Sequence, residues 1–546
     1  MVKIKAHAYD IYTNDEAINR EGETKTEIGL WSFKKPENDD DPDEPCLLRV
    51  RDFPIFCKVE LPTQIDEFGN ILEWDQFGAK NIFNDICRVL ENKEKNPPVD
   101  WRFVAYTRLY YYSTKKYPYM LVTFNTINDM KAASGLCKRL YSRKHGKLNL
   151  EFRETFIETY NKMFSLRNLG PTEKFECDAT EIPNDDEERI SKPGPEFRPF
   201  KEYEINWKSM KALPEDESWF TSPVICSFDI ESYSHRHRAF PQKHCYEDIV
   251  FSISASFQVY MKPETRKNYV VVMGYTLPVK DCVIIQVEDE LEVMEKFFDL
   301  IEKHDPDVII GYNIFGFDYD YMDARLKDVG RDWRNVGRLK EQGCGMKCLS
   351  WNSDAYGYNK LNIFDAPGRI SVDLLPYIKR DYKLAMYNLN AVGKHFLGES
   401  KVDLKAHEMF QIHQNMMSMI EYFQKKTGIE DHKESFRKIK EMAKNKEISV
   451  KEFKEFVGAI RGNTLVCEYN IQDSVLVLRL FEKLNVWISL IELSSIVRVT
   501  PMEFFTRGQQ VRCIAQLYHA ASHRGIVLTQ RDNDFIFFNC GKVEQP

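Results

Sequence analysis

Several features are scarce in this chain, and each scarcity argues against one class of protein. No stretch approaches 18 uninterrupted apolar residues, so a membrane-spanning helix is not expected. The first ten residues lack the apolar core of a secretory signal peptide. Positive charge is not in excess, because the formal net charge is −8, which argues against a protein that simply coats nucleic acid. An acidic balance still permits an enzyme that holds nucleic acid in a local basic groove.

Paired cysteines are also missing. The 13 cysteines are odd in number and scattered, so they do not form the framework of a disulfide-stabilised protein. Free thiols predict an intracellular, reducing compartment, the nucleus or cytoplasm of a cell. Cys344 and Cys348 have a spacing that could suggest zinc, but no second pair with ligand spacing follows them.

The length of 546 residues predicts two to four domains. The first part mixes strand patterns with helical patterns at residues 74–95 and 127–146, which indicates an α/β domain. Acidic, proline-rich stretches at residues 34–45 and 182–199 are typical of surface loops, and the second lies near a predicted domain boundary.

Beyond residue 220 the pattern becomes that of buried strands. Apolar runs at residues 224–230, 249–257, 268–273 and 281–287 precede an amphipathic helical pattern and a further strand, which predicts a mostly buried central sheet. Residues 402–460 are rich in Lys, Glu, Met and Gln, and they predict one or two solvent-facing inserted helices.

Two carboxylates lie at the end of one predicted strand of this sheet, on the same face. Asp229 and Glu231 end an apolar strand, and residues two apart on a strand point to the same face. An acidic pair on a buried strand is costly unless a metal or partner neutralises it, although a solvent-facing strand edge would also explain the pair.

Asp318 follows a buried strand and falls at the predicted start of a helix, where its charge is favoured. A simple helix cap would explain it as well. Tyr469 and Asp473 are four residues apart and therefore share one face of a predicted helix, as they also would on an ordinary amphipathic helix. Four converging carboxylates suit hard divalent cations, and two such ions hydrolyse phosphodiesters.

Together these segments resemble the exonuclease domain of family B DNA polymerases. Phe228-Asp229-Ile230-Glu231 resembles the first motif of that domain, Tyr312 through Asp318 the second, and Tyr469 through Asp473 the third, in the family's order. Residues 368–398 and Thr506 through Arg512 resemble further segments of delta-type replicative polymerases. The insert at 402–460 departs from that pattern and suggests a version from a large DNA virus.

The resemblance implies a ribonuclease H-like fold with a mixed central sheet, preceded by a mixed α/β N-terminal domain, in a multidomain α/β and α+β protein. It implies removal of 3′-terminal nucleotides with two Mg²⁺ ions, or Mn²⁺ in their place. By position, Asp229, Glu231, Asp318 and Asp473 are the metal ligands, and Tyr469 orients the attacking water. The implied DNA contacts, at a single-stranded 3′ primer end and the primer–template, are Asn313, Phe317, Arg507, Gln509 and Gln510.

The implied domains are an N-terminal domain at 1–215, the exonuclease at 216–485, and a segment at 486–546 that leads toward a polymerase palm. Polymerase motifs are not found in the sequence, so we expect a fragment of a longer polymerase, or one half of a split polymerase whose other half is a second chain. A processivity factor is a further expected partner, and a membrane is not. The alternatives are a free-standing exonuclease, a non-enzymatic polymerase scaffold, and a calcium-binding structural domain.

Overall fold

The structure is a computed structural model. It describes the following parts of the chain: residues 2–18, 22–37, 43–65, 71–109, 114–183, 200–214, 219–236, 239–339, 342–353, 357–399, 404–429, 431–445 and 447–529. The acidic stretch 38–42 and most of the second proline-rich stretch, residues 184–199, therefore lie outside the described residues.

The strands of the first part alternate with three helices and one short 3₁₀ turn. The strands are β1 (Val2–Ile18), β2 (Thr24–Lys34), β3 (Glu44–Val50), β4 (Ile55–Glu60), β5 (Gln64–Ile65), β6 (Ile71–Leu72), β7 (Asp100–Arg108), β8 (Lys116–Phe124), β9 (Arg139–Ser142), β10 (Gly146–Asn149), β11 (Glu151–Arg153), β12 (Lys174–Ile182), β13 (Lys201–Ile205) and β14 (Lys211–Ala212). The helices are α1 (Gln76–Glu91), α2 (Ile127–Leu136) and α3 (Thr159–Arg167).

The second part is built from a six-stranded sheet and a series of helices. The strands are β15 (Val224–Ser232), β16 (Val250–Val259), β17 (Lys262–Met273), β18 (Cys282–Val287), β19 (Val308–Gly311), β20 (Gly345–Ser353), β21 (Gly357–Asp365), β22 (Ile370–Asp373) and β23 (Ile526–Val527). The helices are α4 (Glu290–His304), α5 (Asp318–Asp328), α6 (Leu374–Asp381), α7 (Leu389–Leu397), α8 (Ala406–Thr427), α9 (His432–Lys444), α10 (Val450–Lys483), α11 (Val486–Val497), α12 (Pro501–Thr506) and α13 (Gln509–His523).

Two sheets form the N-terminal part. The first has the order β1-β2-β3-β13-β12-β14, and an extra pairing of β1 with β12 closes it on itself. The second has the order β11-β4-β8-β7-β23, so a strand from the far end of the described chain completes it through a parallel pairing with β7. Apolar faces of both sheets meet α1 and α2 in one core.

The sheet of the second part has the order β18-β17-β16-β15-β19-β22. Its pairings are mixed: β15 runs antiparallel to β16 and parallel to β19. The prediction of a mixed central sheet is therefore confirmed. Helices α4 and α5 cover one face, and α10 crosses the other. Strand β15 lies inside this sheet, so its carboxylates emerge between two neighbouring strands.

Two helix predictions needed correction. The helical pattern predicted over residues 127–146 ends at Leu136, and a hairpin of β9 and β10 follows it, because apolar Leu140 and Leu148 face one core from paired strands. The insert over 402–460 is not simply solvent-facing. The insert forms a small apolar core of its own between α8, α9 and the start of α10. This core includes Met416, Ile420 and Phe456, together with Tyr275 of the sheet domain.

The two parts share a third apolar core. Tyr9, Trp31 and Phe33 of the first sheet pack in the same cluster as Ile225 and Val308 of the second. Helix α11 contributes to this cluster through Trp487, whose ring lies edge-on to Phe33 with centroids 6.4 Å apart. Burial on this scale holds the sheet that carries the carboxylates against the N-terminal part.

Candidate active site

Serine side chains explain why helix α10 lies close to the sheet. Ser227 Oγ donates to the carbonyl of Ser474 at 2.7 Å, and Ser254 Oγ donates to the carbonyl of Asn470 at 2.9 Å. The Asn470 amide in turn donates to Ser252 Oγ at 3.1 Å. Small hydroxyl side chains leave room for the helix and satisfy its buried polar groups at the same time.

This close approach brings three carboxylates together. Asp229 and Glu231 project from β15, and Asp473 projects from α10 one position before Ser474. One carboxylate oxygen from each of the three lies within 4.8 Å of the others, and Glu231 and Asp473 are buried. Like charges at this distance repel one another, so a bound cation is the natural neutralising partner. Oxygen donors of this kind fit Mg²⁺ or Mn²⁺.

Asp318 approaches the same strand from the other side. It is the first residue of α5 and is buried, and its carboxyl group accepts a hydrogen bond from the backbone N–H of Ile230. Burial raises the pKa of Asp318 to about 7, and the negative charge of Asp373 adds to the increase. Asp318 thus lies against the strand segment between Asp229 and Glu231, although it is not among the three whose oxygens lie within 4.8 Å.

Tyr469 lies one helical turn before Asp473 on α10. It is half-buried and packs against the core of the second sheet. The predicted sharing of one helix face by Tyr469 and Asp473 follows from the helix that the structure shows over 450–483.

The turn before α5 is held by an acid that the sequence analysis did not assign to the site. The Asp373 carboxylate accepts from the backbone N–H groups of Asn313 at 2.8 Å, Phe315 at 3.0 Å and Leu375 at 2.9 Å. Burial raises the pKa of Asp373 to about 6. Its place directly before helix α6 is the N-cap signal that could have marked it, but that signal does not reveal its reach to the turn.

The turn before α5 places special demands on two positions, the backbone conformation of Asn313 and the space beside Gly316. Asn313 is exposed and has a left-handed φ of 68°, a conformation that asparagine tolerates better than most residues. A Cβ at Gly316 would lie 2.5 Å from Asn313 Oδ1, so a larger residue at 316 would require the Asn313 side chain to move.

A groove of about 660 Å³ opens beside Glu231. Phe317 lines it together with Phe240, and their rings meet edge-on with centroids 5.2 Å apart. The opposite wall comes from α8, through Met409 and Phe410. The sequence analysis missed Phe240 and Phe410, because one lies in a loop and the other in the insert, where no spacing rule links them to the carboxylates.

The remaining predicted residues lie elsewhere. Arg507, Gln509 and Gln510 are exposed around the junction of α12 and α13, and other residues line the groove. Cys344 Sγ accepts the N–H of Gly337 at 3.2 Å and contacts Asn335 Oδ1 at 3.1 Å, so hydrogen bonds account for its setting. In the described part of the chain, Cys344 and Cys348 do not belong to any group of three potential metal ligands.

Comparisons with known proteins show which sequences this chain resembles. Residues 151–392 match the family model described as DNA polymerase family B, exonuclease domain. DNA polymerase 120R of Invertebrate iridescent virus 3 is 27% identical over 532 residues, which cover 94% of this chain and 41% of that protein. The DNA polymerase delta catalytic subunit of Candida albicans is 29% identical over 330 residues, which cover 60% of this chain and 27% of that protein. The chain therefore spans about two fifths or less of the length of these relatives.

A solved structure shares the fold. The family B DNA polymerase from the hyperthermophilic archaeon Pyrobaculum calidifontis superposes with a TM-score of 0.59 at 17% sequence identity, over 97% of this chain and 52% of that one.

Among the described residues, no helix combines the length and apolar character needed to cross a bilayer.

Proposed function

We propose that this chain, which carries the exonuclease domain of DNA polymerase family B, removes 3′-terminal nucleotides from single-stranded DNA by two-metal hydrolysis. The observation that carries the proposal is the convergence of Asp229, Glu231 and Asp473 within 4.8 Å from two strand positions and a helix about 240 residues farther along the chain. The parent protein is a DNA-directed DNA polymerase that acts in replication, in line with relatives named as viral and delta-type polymerases.

The donor set fits hard divalent cations. Asp229, Glu231 and Asp473 would hold the first Mg²⁺, and Asp229 with Asp318 would hold the second; Mn²⁺ suits the same oxygens. When bound, the ions supply a nucleophile at neutral pH and neutralise charge on the phosphate and the leaving oxygen. The buried Asp318 favours a bound cation, because its carboxyl group is costly to ionise alone. Tyr469 positions the attacking water with its hydroxyl group.

The groove beside Glu231 receives the terminal nucleotides. Phe317 and Phe240 offer aromatic faces and edges against which a base packs, and this contact tolerates any base because every base has a π-face. Asn313 contacts the strand from the exposed turn that Asp373 holds. A frayed end enters such a groove more readily than a duplex, because its bases are already unstacked.

The chain divides functionally into an N-terminal domain at 1–215, the exonuclease at 216–485 with its insert at about 402–460, and a segment at 486–546 that leads toward the polymerase palm. Exposed Arg507, Gln509 and Gln510 contact the primer–template backbone, a positioning role. The polymerase half, in cis or as a second chain, and a processivity factor are the expected partners inside a reducing compartment.

The test is degradation of a 5′-labelled single-stranded DNA oligonucleotide with Mg²⁺. We expect the unsubstituted chain to remove nucleotides one by one from the 3′ end. The Asp229→Ala, Glu231→Ala double variant should remove none. Glu468→Gln is the matched control, because Glu468 is an exposed acid next to Tyr469 on the same helix, and it should retain full activity. Equal activity of the parent and the double variant would refute the proposal.

A further inference from the structure

A second set of metal-binding side chains lies in the loop between β15 and β16. One ring nitrogen of His235, the Sγ of Cys245 and a carboxylate oxygen of Glu247 lie within 4.8 Å of one another. No residue of this set belongs to the carboxylate trio on β15 and α10. A thiol, an imidazole and a carboxylate form a donor set of different chemistry from a cluster of acids alone.

His235 is oriented as a metal ligand would be. Its Nδ1 lies 2.7 Å from Oδ1 of Asp248, which is fully buried. Asp248 also accepts the backbone N–H of His235 at 3.0 Å and that of Gln242 at 2.7 Å, so the carboxylate is fixed. An Nδ1–H that donates to Asp248 leaves Nε2 with its lone pair, 3.6 Å from Oε2 of Glu247. A carboxylate that holds a histidine in this way is the usual outer support of a metal-bound imidazole.

Cys245 lies on the Nδ1 side of the His235 ring. Its Sγ is 3.6 Å from Nδ1 of His235, and its backbone carbonyl accepts from Nη1 of Arg325 at 2.8 Å. Arg325 is buried and also donates to the carbonyl of Tyr246 at 3.2 Å, while Glu290 holds its guanidinium at 2.7 Å. The loop segment that carries two of the three side chains is thus anchored to helix α5 before any ligand binds.

We propose that His235, Cys245 and Glu247 form a zinc site. Zn²⁺ prefers sulfur and nitrogen donors with tetrahedral geometry, and its bond lengths place neighbouring nitrogen and oxygen ligands roughly 3.3 Å apart. The 3.6 Å separation of His235 Nε2 from Glu247 Oε2 is close to that value. Glu247 is exposed, so water would be available to complete the coordination of a bound ion. Cys245 loses its thiol proton to solvent when the zinc–sulfur bond forms.

The site stabilises one wall of the groove. Phe240 and Pro241 line the groove and lie in the loop between His235 and Cys245, and the exposed Phe240 meets Phe317 there. A cross-link between the two ends of this loop reduces the conformations that Phe240 samples.

The decisive experiment substitutes Co²⁺ for zinc and does not depend on nuclease activity. Chelator-treated protein in excess Mg²⁺ is titrated with Co²⁺, and a near-ultraviolet charge-transfer band reports a thiolate ligand, which the carboxylate trio cannot provide. We expect one equivalent of Co²⁺ to produce the band in the parent chain and none in Cys245→Ser. Cys348→Ser, a change at an exposed cysteine outside the site, should keep the band. A band that survives in Cys245→Ser, or no band in the parent, would overturn the site.

A second variant guards against misfolding. Glu247 is exposed, so Glu247→Gln should fold like the parent by circular dichroism while its Zn²⁺ affinity falls by at least about tenfold, the lower end of the cost of losing even an outer support. Zn²⁺ affinity is measured by competition with a chromophoric chelator. Unchanged affinity in Glu247→Gln would overturn the assignment of Glu247 as a zinc ligand.

Discussion

Two groups of acids in this molecule differ in the side chains that surround them. Asp305 and Asp307 are fully buried, and the guanidinium of Arg338 meets them at 3.0 and 2.7 Å, while Arg369 reaches Asp305 at 2.7 Å. Arg338 also donates to the hydroxyl of Tyr9 at 2.8 Å, which ties the network to the N-terminal sheet. Asp229, Glu231 and Asp473 converge on one another instead, within 4.8 Å.

The difference separates a structural network from a binding site. Buried charge is tolerated when opposite charge and hydrogen bonds compensate it, and the arginine network achieves this within the chain. A trio of acids whose oxygens lie within 4.8 Å of one another is compensated best by an added cation, so its stability should depend on the metal ions in solution. Both groups consist of carboxylic acids, and the neighbours that the fold supplies decide which role each acquires.

The largest expected effect comes from breaking the arginine network. Arg338→Ala leaves Asp305 and Asp307 buried without their main partner and should reduce the free energy of unfolding by about 3–5 kcal/mol. Urea unfolding measures the change. Arg334→Ala is the control, because Arg334 meets three acids at a surface that is one third exposed, and its loss should cost less than about 1 kcal/mol. Equal losses in both variants would show that burial does not distinguish these networks.

The next effect belongs to the acidic trio and appears only with metal. Mg²⁺ at 100 times its dissociation constant should stabilise the parent chain by about 2.7 kcal/mol. Asp473→Asn should lose most of this increment without losing stability in chelator, because it removes one of three repelling charges. Thermal unfolding with and without Mg²⁺ measures both quantities. An undiminished Mg²⁺ increment in Asp473→Asn would place the stabilising ion elsewhere.

A third effect, the smallest for each step of the variable that is changed, should appear in the pH dependence of the metal-free protein, at about 1 kcal/mol per pH unit. Burial raises the pKa of Asp318 to about 7, so the folded state holds a proton that the unfolded state releases near pH 4. Stability from this group is therefore complete below about pH 4 and is lost as the pH rises toward 7, at a rate on the order of 1 kcal/mol per pH unit. Urea unfolding of Asp318→Asn in chelator should show less of this decline than the parent. Parallel pH profiles would contradict the raised pKa.

Local pattern accounts for much of the architecture. The apolar runs at 224–230 and 268–273 are strands, the helical pattern at 74–95 is helix α1, and α5 begins at Asp318 as its sequence indicates. The pattern failed at 137–146, where short strands replace a predicted helix. Leu140 and Leu148 reach the core only through long-range packing, which propensity does not describe.

Helix α10 shows a similar limit. Its 34 residues run from the insert into the segment that carries Tyr469 and Asp473, so the insert and the acidic trio share one rigid element. Sequence composition separated these two stretches because one is charged and the other apolar. The helix is continuous because both of its ends have a packing partner. Its first turns pack on α8, and its later turns pack on the sheet.

By itself, the sequence determined the carboxylates at 229, 231, 318 and 473, their order, and their likeness to a family, because those features reside in residue types and short spacings. Only the tertiary structure decided that Asp473 meets Asp229, that Asp373 holds the turn at Asn313, and that Phe240 and Phe410 wall the groove. These contacts join positions 60 to 250 residues apart. Their geometry depends on the closeness that buried serines permit between helix and sheet, a property of packing that no local pattern carries.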